Sequence, residues 1–410
     1  MKAIQFDFTI PRYIIGLALG KLSPRFFWSG VSCTDYKEIP DPKLPGDDWV
    51  VVKTRLGGIC GTDMSAVKLT ASTYSTTLVT FPFVLGHENI SRIEQVGSGV
   101  SDWQVGDRVV VEPILWCKPR GFTELCKFCA KGEINRCERK TEGNLDPGFQ
   151  TGICKDTGGS WSSKFLAHES QLYRVPINIS DENALMIEPF AIALHAVLQN
   201  FPKDDEQVLI IGAGTIGLGI IAALRALGSQ SEIIVLGRYG FQAEAARKIG
   251  ASRVILGSRN NGFYNEIAQW SNGIVKHPII GKPLVIGGVD ATFECVGSSG
   301  SLDDAMRLTR NGGRVILVGE AGVVKNLDWT SMITQELEVR AAYLYNHIES
   351  YKGKQWKAFD LAIDLMASGK VDLGWLVTHQ LPLEDYKQAF ELTTQRGKSE
   401  SIKVAFEFDE

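Results

Sequence analysis

The feature that most constrains the fold of this chain is the run at 207–217, QVLIIGAGTIG. An apolar strand pattern ends at Gly212, and the apolar residues 215–227 then read as a helix. Gly212, Gly214 and Gly217 give the spacing G-x-G-x-x-G. In such a turn the first glycine makes the tight bend, the second lets a pyrophosphate approach the backbone, and the third lets helix pack on strand. The helix N-terminus adds partial positive charge toward phosphates. In a chain with 42 glycines the spacing alone says little. The strand before it and the helix after it point to a dinucleotide-binding turn built from Gly212, Gly214, Thr215, Ile216 and Gly217, with an ordinary glycine-rich turn as the alternative.

The pattern continues downstream. Residues 232–237 (EIIVLG) read as a second strand and 241–249 as a helix, with further strands at 253–256, 290–296, 314–319 and 338–345. Strands alternating with helices predict a parallel, doubly wound sheet. Residues 273–288, which include HPIIGKPLVIGG, read as a loop insertion with room for a short strand. The second strand selects the dinucleotide. An NAD site places a carboxylate at its end for the ribose 2′-hydroxyl. Here the end is Gly237, followed by Arg238, and Glu232 stands at the opposite end. A missing carboxylate removes repulsion toward a 2′-phosphate and a guanidinium adds a two-pronged donor, so NADP(H) is expected. If Arg238 is merely solvated, NAD is used as well.

Residues 1–180 differ in character. Short β-type runs at 1–9, 49–56, 90–96 and 108–112 are separated by Gly and Pro, the mark of a compact, mostly β domain. The tail holds helical patches at 356–368 and 383–393, an extended piece near 375–380 and a strand-like end at 402–408. A length of 410 residues suits two or three domains. Charged residues are 22% and hydrophobic ones 44%, which excludes a largely disordered chain. With 43 basic and 47 acidic residues, the balance argues against a protein built to coat nucleic acid or an acidic membrane. No stretch approaches the roughly 20 apolar residues of a membrane span. The apolar piece at 13–20 follows Asp7 and Pro11 and runs into Lys21 and Arg25 without a small-residue cleavage site, so no signal peptide is expected and the cytoplasm is the default.

Cysteine usage points to metal. In a reducing compartment, a dense cluster reads as ligands before disulfides. Cys126, Cys129 and Cys137 follow C-x2-C-x7-C, with Cys117 nine residues upstream. Four thiolates can close a tetrahedral structural zinc site; free thiols are the alternative. A second set is dispersed: Gly58-Ile59-Cys60-Gly61-Thr62-Asp63, Gly86-His87-Glu88 and Ile187-Glu188-Pro189. Cys60, His87 and a carboxylate are plausible zinc ligands, and three protein ligands leave a fourth position open.

GICGTD (58–63), GHE (86–88), the cysteine cluster, IEP (187–189) and GAGTIG (212–217) occur in this order, followed by VDATFECVG (289–297), NGGRVILVG (311–319) and THQLPLEDYKQAFE (378–391). Over about 47–410 the chain resembles zinc-dependent medium-chain alcohol dehydrogenases, especially the sorbitol, threonine and glucose dehydrogenase branch. The resemblance implies an α/β protein: a GroES-like β-rich catalytic domain over 1–190 and 346–410, and a Rossmann domain over 191–345. It implies that Cys60 and His87 hold a catalytic zinc with Glu88 or Glu188, that Asp63 orients His87, and that Cys117, Cys126, Cys129 and Cys137 hold a structural zinc. Thr62 would take the alcohol proton, and Ser65, standing where many relatives carry a histidine, would continue the relay with water. Lys403 would lie on the cofactor pyrophosphate, with a solvated surface lysine as the alternative. The implied reaction moves hydride between NADP(H) and a secondary alcohol, polyol or sugar. The alternatives are a zinc-independent NADPH reductase and a non-catalytic NADPH-binding protein of the same fold. A homodimer or homotetramer is expected, with the strand at 338–345 at an interface, a small-molecule partner, and neither nucleic acid nor membrane. Three departures stand out: the Cys117–Cys126 gap of nine where the family has three, Ser65, and the extra length at 11–40.

Overall fold

In the computed structural model, which describes residues 1–257 and 261–409, the strand Trp49–Gly58 organises the N-terminal part. Val50 and Val52 enter one core with Ile93, Val109 and Phe165, while Trp49 and Val51 enter another with Leu115 and Leu166. Alternate side chains leave a strand on opposite faces, so burial on both faces demands the unbroken apolar run WVVV. This strand pairs antiparallel with Asn89–Val96, Lys164–His168 and Lys403–Glu407. The seven-stranded sheet also takes Arg108–Val111, Leu172–Arg174 and Val377–Pro382. Thr34–Glu38, Lys2–Phe6 and Phe83–Val84 form a three-stranded sheet.

The extra N-terminal length is a helix, Ile10–Gly20, and a 3-10 turn, Pro24–Trp28. Thr9 caps the helix and Pro11 sits in its first turn, both standard helix starts. Tyr13, Leu17 and Phe27 pack on a core that holds Trp28, Met64, Val67 and Phe390. Arg12 ties the segment down through Asp7 at 3.3 Å and Asp35 at 2.8 Å. The insertion is thus packed against the helix Gly61–Val67, which follows Cys60.

By contacts the chain falls into two units. The first is Met1–Glu188, Asn346–Ile348 and the residues from Phe359 on; the second is Pro189–Tyr345 and Glu349–Ala358. The second unit holds a six-stranded parallel sheet in the order Arg253–Leu256, Glu232–Gly237, Gln207–Ile211, Val289–Glu294, Thr309–Leu317, Glu338–Ala341. This is the dinucleotide-fold order, and it reverses beside Gln207–Ile211. Each strand expected from the sequence is present. Two readings are corrected. Residues 273–288 are not simply a loop: Ile274–Lys276 and Leu284–Ile286 pair as an antiparallel hairpin. Residues 349–358 group with the second unit, not with the tail, because buried Glu349 meets His195 at 2.5 Å and Gln199 at 3.0 Å. Among the described residues no helix is long and apolar enough to cross a membrane.

Candidate active site

The first unit gathers the dispersed ligand set. Cys60 follows the strand Trp49–Gly58 and is the N-cap of the helix Gly61–Val67, so its side chain stands at the helix N-terminus. Asp63, buried in the first turn, accepts from the Cys60 backbone N–H at 3.1 Å and faces His87 Nδ1 at 3.3 Å. One carboxylate therefore holds the Cys60 backbone and lies in charge contact with the imidazole, the side from which a partner orients a metal-binding histidine. Ligand atoms of Cys60, His87 and Glu88 all lie within 4.8 Å of one another. Burial disfavours a charged His87, but Asp63 and the neighbouring Cys60 outweigh it and hold its pKa well above the ordinary histidine range. Thr62 is exposed and Ser65 half-buried, its hydroxyl donating to Gly61 O at 3.0 Å. Trp161, which sequence reasoning missed, is fully buried and donates from its indole to Gly58 O at 2.9 Å. Nothing in the sequence around it signals that role.

The two glutamates are placed differently. Both Glu88 oxygens accept from Lys403 Nζ at 2.6 Å, and the third ammonium donor goes to Ile59 O at 3.3 Å. Lys403 is only 3% exposed. This corrects the sequence expectation: an ammonium with all three donors spent inside the protein is not on a pyrophosphate. Glu188 stands in the first turn of the helix Ile187–Leu198, buried, and neither carboxylate oxygen has a hydrogen-bond partner. Burial, with Glu88 and Asp63 nearby, pushes its pKa up to about 7 against the pull of His87 and Lys403. A thiol, an imidazole and an unpartnered buried carboxylate fit a divalent cation of the zinc class, which supplies the charge that burial otherwise denies.

Cys117, Cys126, Cys129 and Cys137 come together, all buried, with sulfurs within 4.8 Å of one another. The nine-residue gap closes because the chain folds back after Cys117, with Phe122 N–H on Cys117 O and Cys126 N–H on the Cys117 sulfur, at 3.0 and 3.3 Å. The four thiols share protons: the Cys129 thiol holds Cys137 down to about 5, and the same contact raises Cys129. Four sulfurs at this spacing fit a tetrahedral zinc with no open position.

In the second unit Gly212 has φ +101°, a left-handed turn that a side chain would strain, and Gly217 could not carry a Cβ without meeting Gly212 O. Gly214 caps the helix Thr215–Ala226; Thr215 and Ile216 are half-buried in its first turn. Beside this turn, Gly237 is buried at the end of its strand and Arg238 is exposed, its guanidinium 5.5 Å from the Tyr239 ring centroid.

Two family models match this chain: the alcohol dehydrogenase GroES-like domain over residues 46–177 and the zinc-binding dehydrogenase domain over 215–367. The chain belongs to the zinc-dependent medium-chain alcohol dehydrogenase family. As a member it is an alcohol-type oxidoreductase, with a GroES-like domain and a Rossmann-like parallel sheet. Its relatives include L-idonate 5-dehydrogenase of Vitis vinifera, 29% identical over 360 residues, 87% of each chain. Sorbitol dehydrogenase of Bacillus subtilis is 29% identical over 369 residues, 89% of this chain and 92% of that one. Among solved structures, an Escherichia coli oxidoreductase/dehydrogenase of unknown specificity is similar with a TM-score of 0.71 and 25% identity, covering 92% of this dehydrogenase and 96% of that chain.

Proposed function

We propose that this dehydrogenase moves hydride between NADP(H) and a secondary alcohol of the polyol or sugar class. The observation that carries the reading is the convergence of Cys60, His87 and Glu88, whose ligand atoms lie within 4.8 Å of one another, with Glu188 buried and unpartnered. Relatives named for idonate and sorbitol support the substrate class. Proximity favours Glu88 as the third ligand and the missing partners of Glu188 favour Glu188. The second argument is stronger: Glu88 already neutralises an ammonium with both oxygens, whereas a buried, unpaired carboxylate is expensive unless a cation joins it. Cys60, His87 and Glu188 would then hold zinc, and Glu88 with Lys403 would back the site. Bound there, zinc supplies Lewis acidity that lowers an alcohol's pKa, and the nicotinamide supplies the hydride acceptor. Thr62 accepts the substrate proton at its hydroxyl and passes it to water. Ser65, one turn on, accepts a hydrogen bond from that water through a free lone pair and so orients it, while its own proton is donated to Gly61 O.

NADP(H) preference rests on Arg238 and on the absence of an acid at Gly237. The edge strand Glu338–Ala341 supports a homodimer or homotetramer, and eight cysteines without disulfides support a reducing, cytoplasmic setting. The test is a panel of polyols assayed with NADP⁺ and NAD⁺. Cys60→Ala is expected to lose at least about 100-fold in turnover, since the metal contributes several kcal/mol to the transition state. Arg238→Ala is expected to cost about 10–100-fold in kcat/KM for NADP⁺, the worth of charge-assisted hydrogen bonds, and to leave NAD⁺ nearly untouched. Full activity in Cys60→Ala refutes the metal mechanism; equal losses with both cofactors refute the role of Arg238.

A further inference from the structure

Arg120 lies between Cys117 and Cys126, in the stretch that departs from the family spacing, and is 0% exposed. It is the one charged residue among the largest fully buried side chains of the described structure. A guanidinium has five N–H donors, and here five main-chain carbonyls take them. Nε donates to Leu115 O at 3.2 Å. One terminal nitrogen donates to Glu142 O at 2.8 Å and Leu145 O at 3.2 Å, the other to Asp146 O at 3.4 Å and to Gly148 O. These acceptors bracket the four cysteines: Leu115 precedes Cys117, and 142–148 follow Cys137. One side chain therefore ties both ends of the metal loop together. The Arg120 carbonyl adds to this by accepting from Asn144 N–H at 3.0 Å.

The hydrogen bonds are satisfied but the charge is not. No carboxylate among the described residues lies within ion-pair distance of Arg120. Asp156, the nearby acid, accepts from the Asp146 amide at 2.6 Å. A buried charge facing only neutral carbonyls keeps most of its desolvation cost. Burial lowers the Arg120 pKa, while negative charge on Cys154, Cys137, Asp156 and Cys117 would raise it. Four thiolates around one divalent cation would carry a formal double negative charge, and the four sulfurs here belong to buried cysteines.

We propose that Arg120 is a positioning residue for the tetrathiolate metal centre, closing the loop through five carbonyls and supplying the buried counter-charge of the loaded site. The proposal rests on the reading that the four cysteines hold a metal. It explains how a gap three times the family length keeps its ligands together: the added residues bring their own tie and their own cation. Lysine at 120 would keep the charge with three donors; glutamine would keep neutral donors without charge.

The test uses the full chain loaded with cobalt(II), whose sulfur-to-metal absorption marks a tetrathiolate site, followed after addition of a chelator. Wild type is expected to show the band and to lose it slowly. Arg120→Gln is expected to lose it about 10–100-fold faster, the range for removing an outer partner of a metal site. Arg120→Lys is expected to recover most of the retention. Release from Arg120→Gln at the wild-type rate overturns the proposal, and Arg120→Lys no better than Arg120→Gln overturns the counter-charge. A wild-type chain that never shows the band refutes the metal reading itself, a different result. If the variants do not fold, the wild-type chain carries the test through the solvent exchange of its Arg120 Nε–H, measured by NMR. Exchange at least tenfold faster after metal removal supports the coupling; unchanged exchange overturns it.

Discussion

Glu88 and Glu188 occupy one pocket of charge yet differ in what they hold. Glu88 is half of a buried ion pair whose other half, Lys403, has no second acid within reach among the described residues. Glu88→Gln leaves that ammonium opposite a neutral amide, and removing one partner of a buried pair costs about 3–5 kcal/mol. Denaturant unfolding is expected to show that loss in the variant. Glu188→Gln removes a carboxylate that has no hydrogen-bond partner. It is expected to leave the metal-free chain as stable as before, or more so, and to weaken zinc binding by tenfold or more, about what a lost ligand contact of 1.4 kcal/mol represents. Equal destabilisation by both substitutions would remove the distinction between a carboxylate paired with lysine and one reserved for the ion.

At the scale of elements, the turn after Gln207–Ile211 is the most exacting piece of the second unit. Gly217→Ala puts a methyl into Gly212 O, the carbonyl of the residue that makes the bend. The helix must move off the strand, at a cost of about 1–3 kcal/mol. The expected outcome is a lower melting temperature together with weakened dinucleotide binding in a fluorescence titration; unchanged binding would show that the turn does not cradle the phosphates. This turn was legible in the sequence because a fully buried parallel strand reads as an unbroken apolar run. The hairpin of Ile274–Lys276 and Leu284–Ile286 was not. Each strand is three residues long, Ile274, Lys276 and Ile286 are exposed, and Pro and Gly fill the turn. The residues proposed as ligands, Cys60, His87 and Glu188, were legible as motifs, but Lys403 was misread because a lysine's partner 315 residues away leaves no mark on its neighbours. Arg120 was invisible for a related reason: in sequence a buried arginine looks like a solvated one, and its acceptors are backbone carbonyls, which every residue has.

For the whole molecule, the proposed metal and protons would compete for the same groups, which makes stability depend on pH in a definite direction. Glu188 binds its proton more tightly folded, near 7, than at its ordinary value of 4.5. The folded metal-free chain therefore holds the extra proton between these values, so this group's contribution is full below 4.5 and is lost as pH rises through 7. His87, raised above 6.5, acts in the same sense: its contribution is present below 6.5 and is lost as pH rises through its folded value. Cys137, lowered from 9.0 to about 5, works the other way, so the total slope is a contest. Comparing wild type with Glu188→Gln isolates the carboxylate. In chelator-treated chains, wild type is expected to lose stability relative to Glu188→Gln as pH rises from 4.5 to 7, and the gap to level off above. Zinc should abolish that slope in wild type, because the cation then takes the position of the proton and its affinity rises with pH. Denaturant midpoints at pH 5, 6, 7 and 8, with and without zinc, read both effects. A slope that survives saturation with zinc would place Glu188 away from the ion and return the third ligand to Glu88.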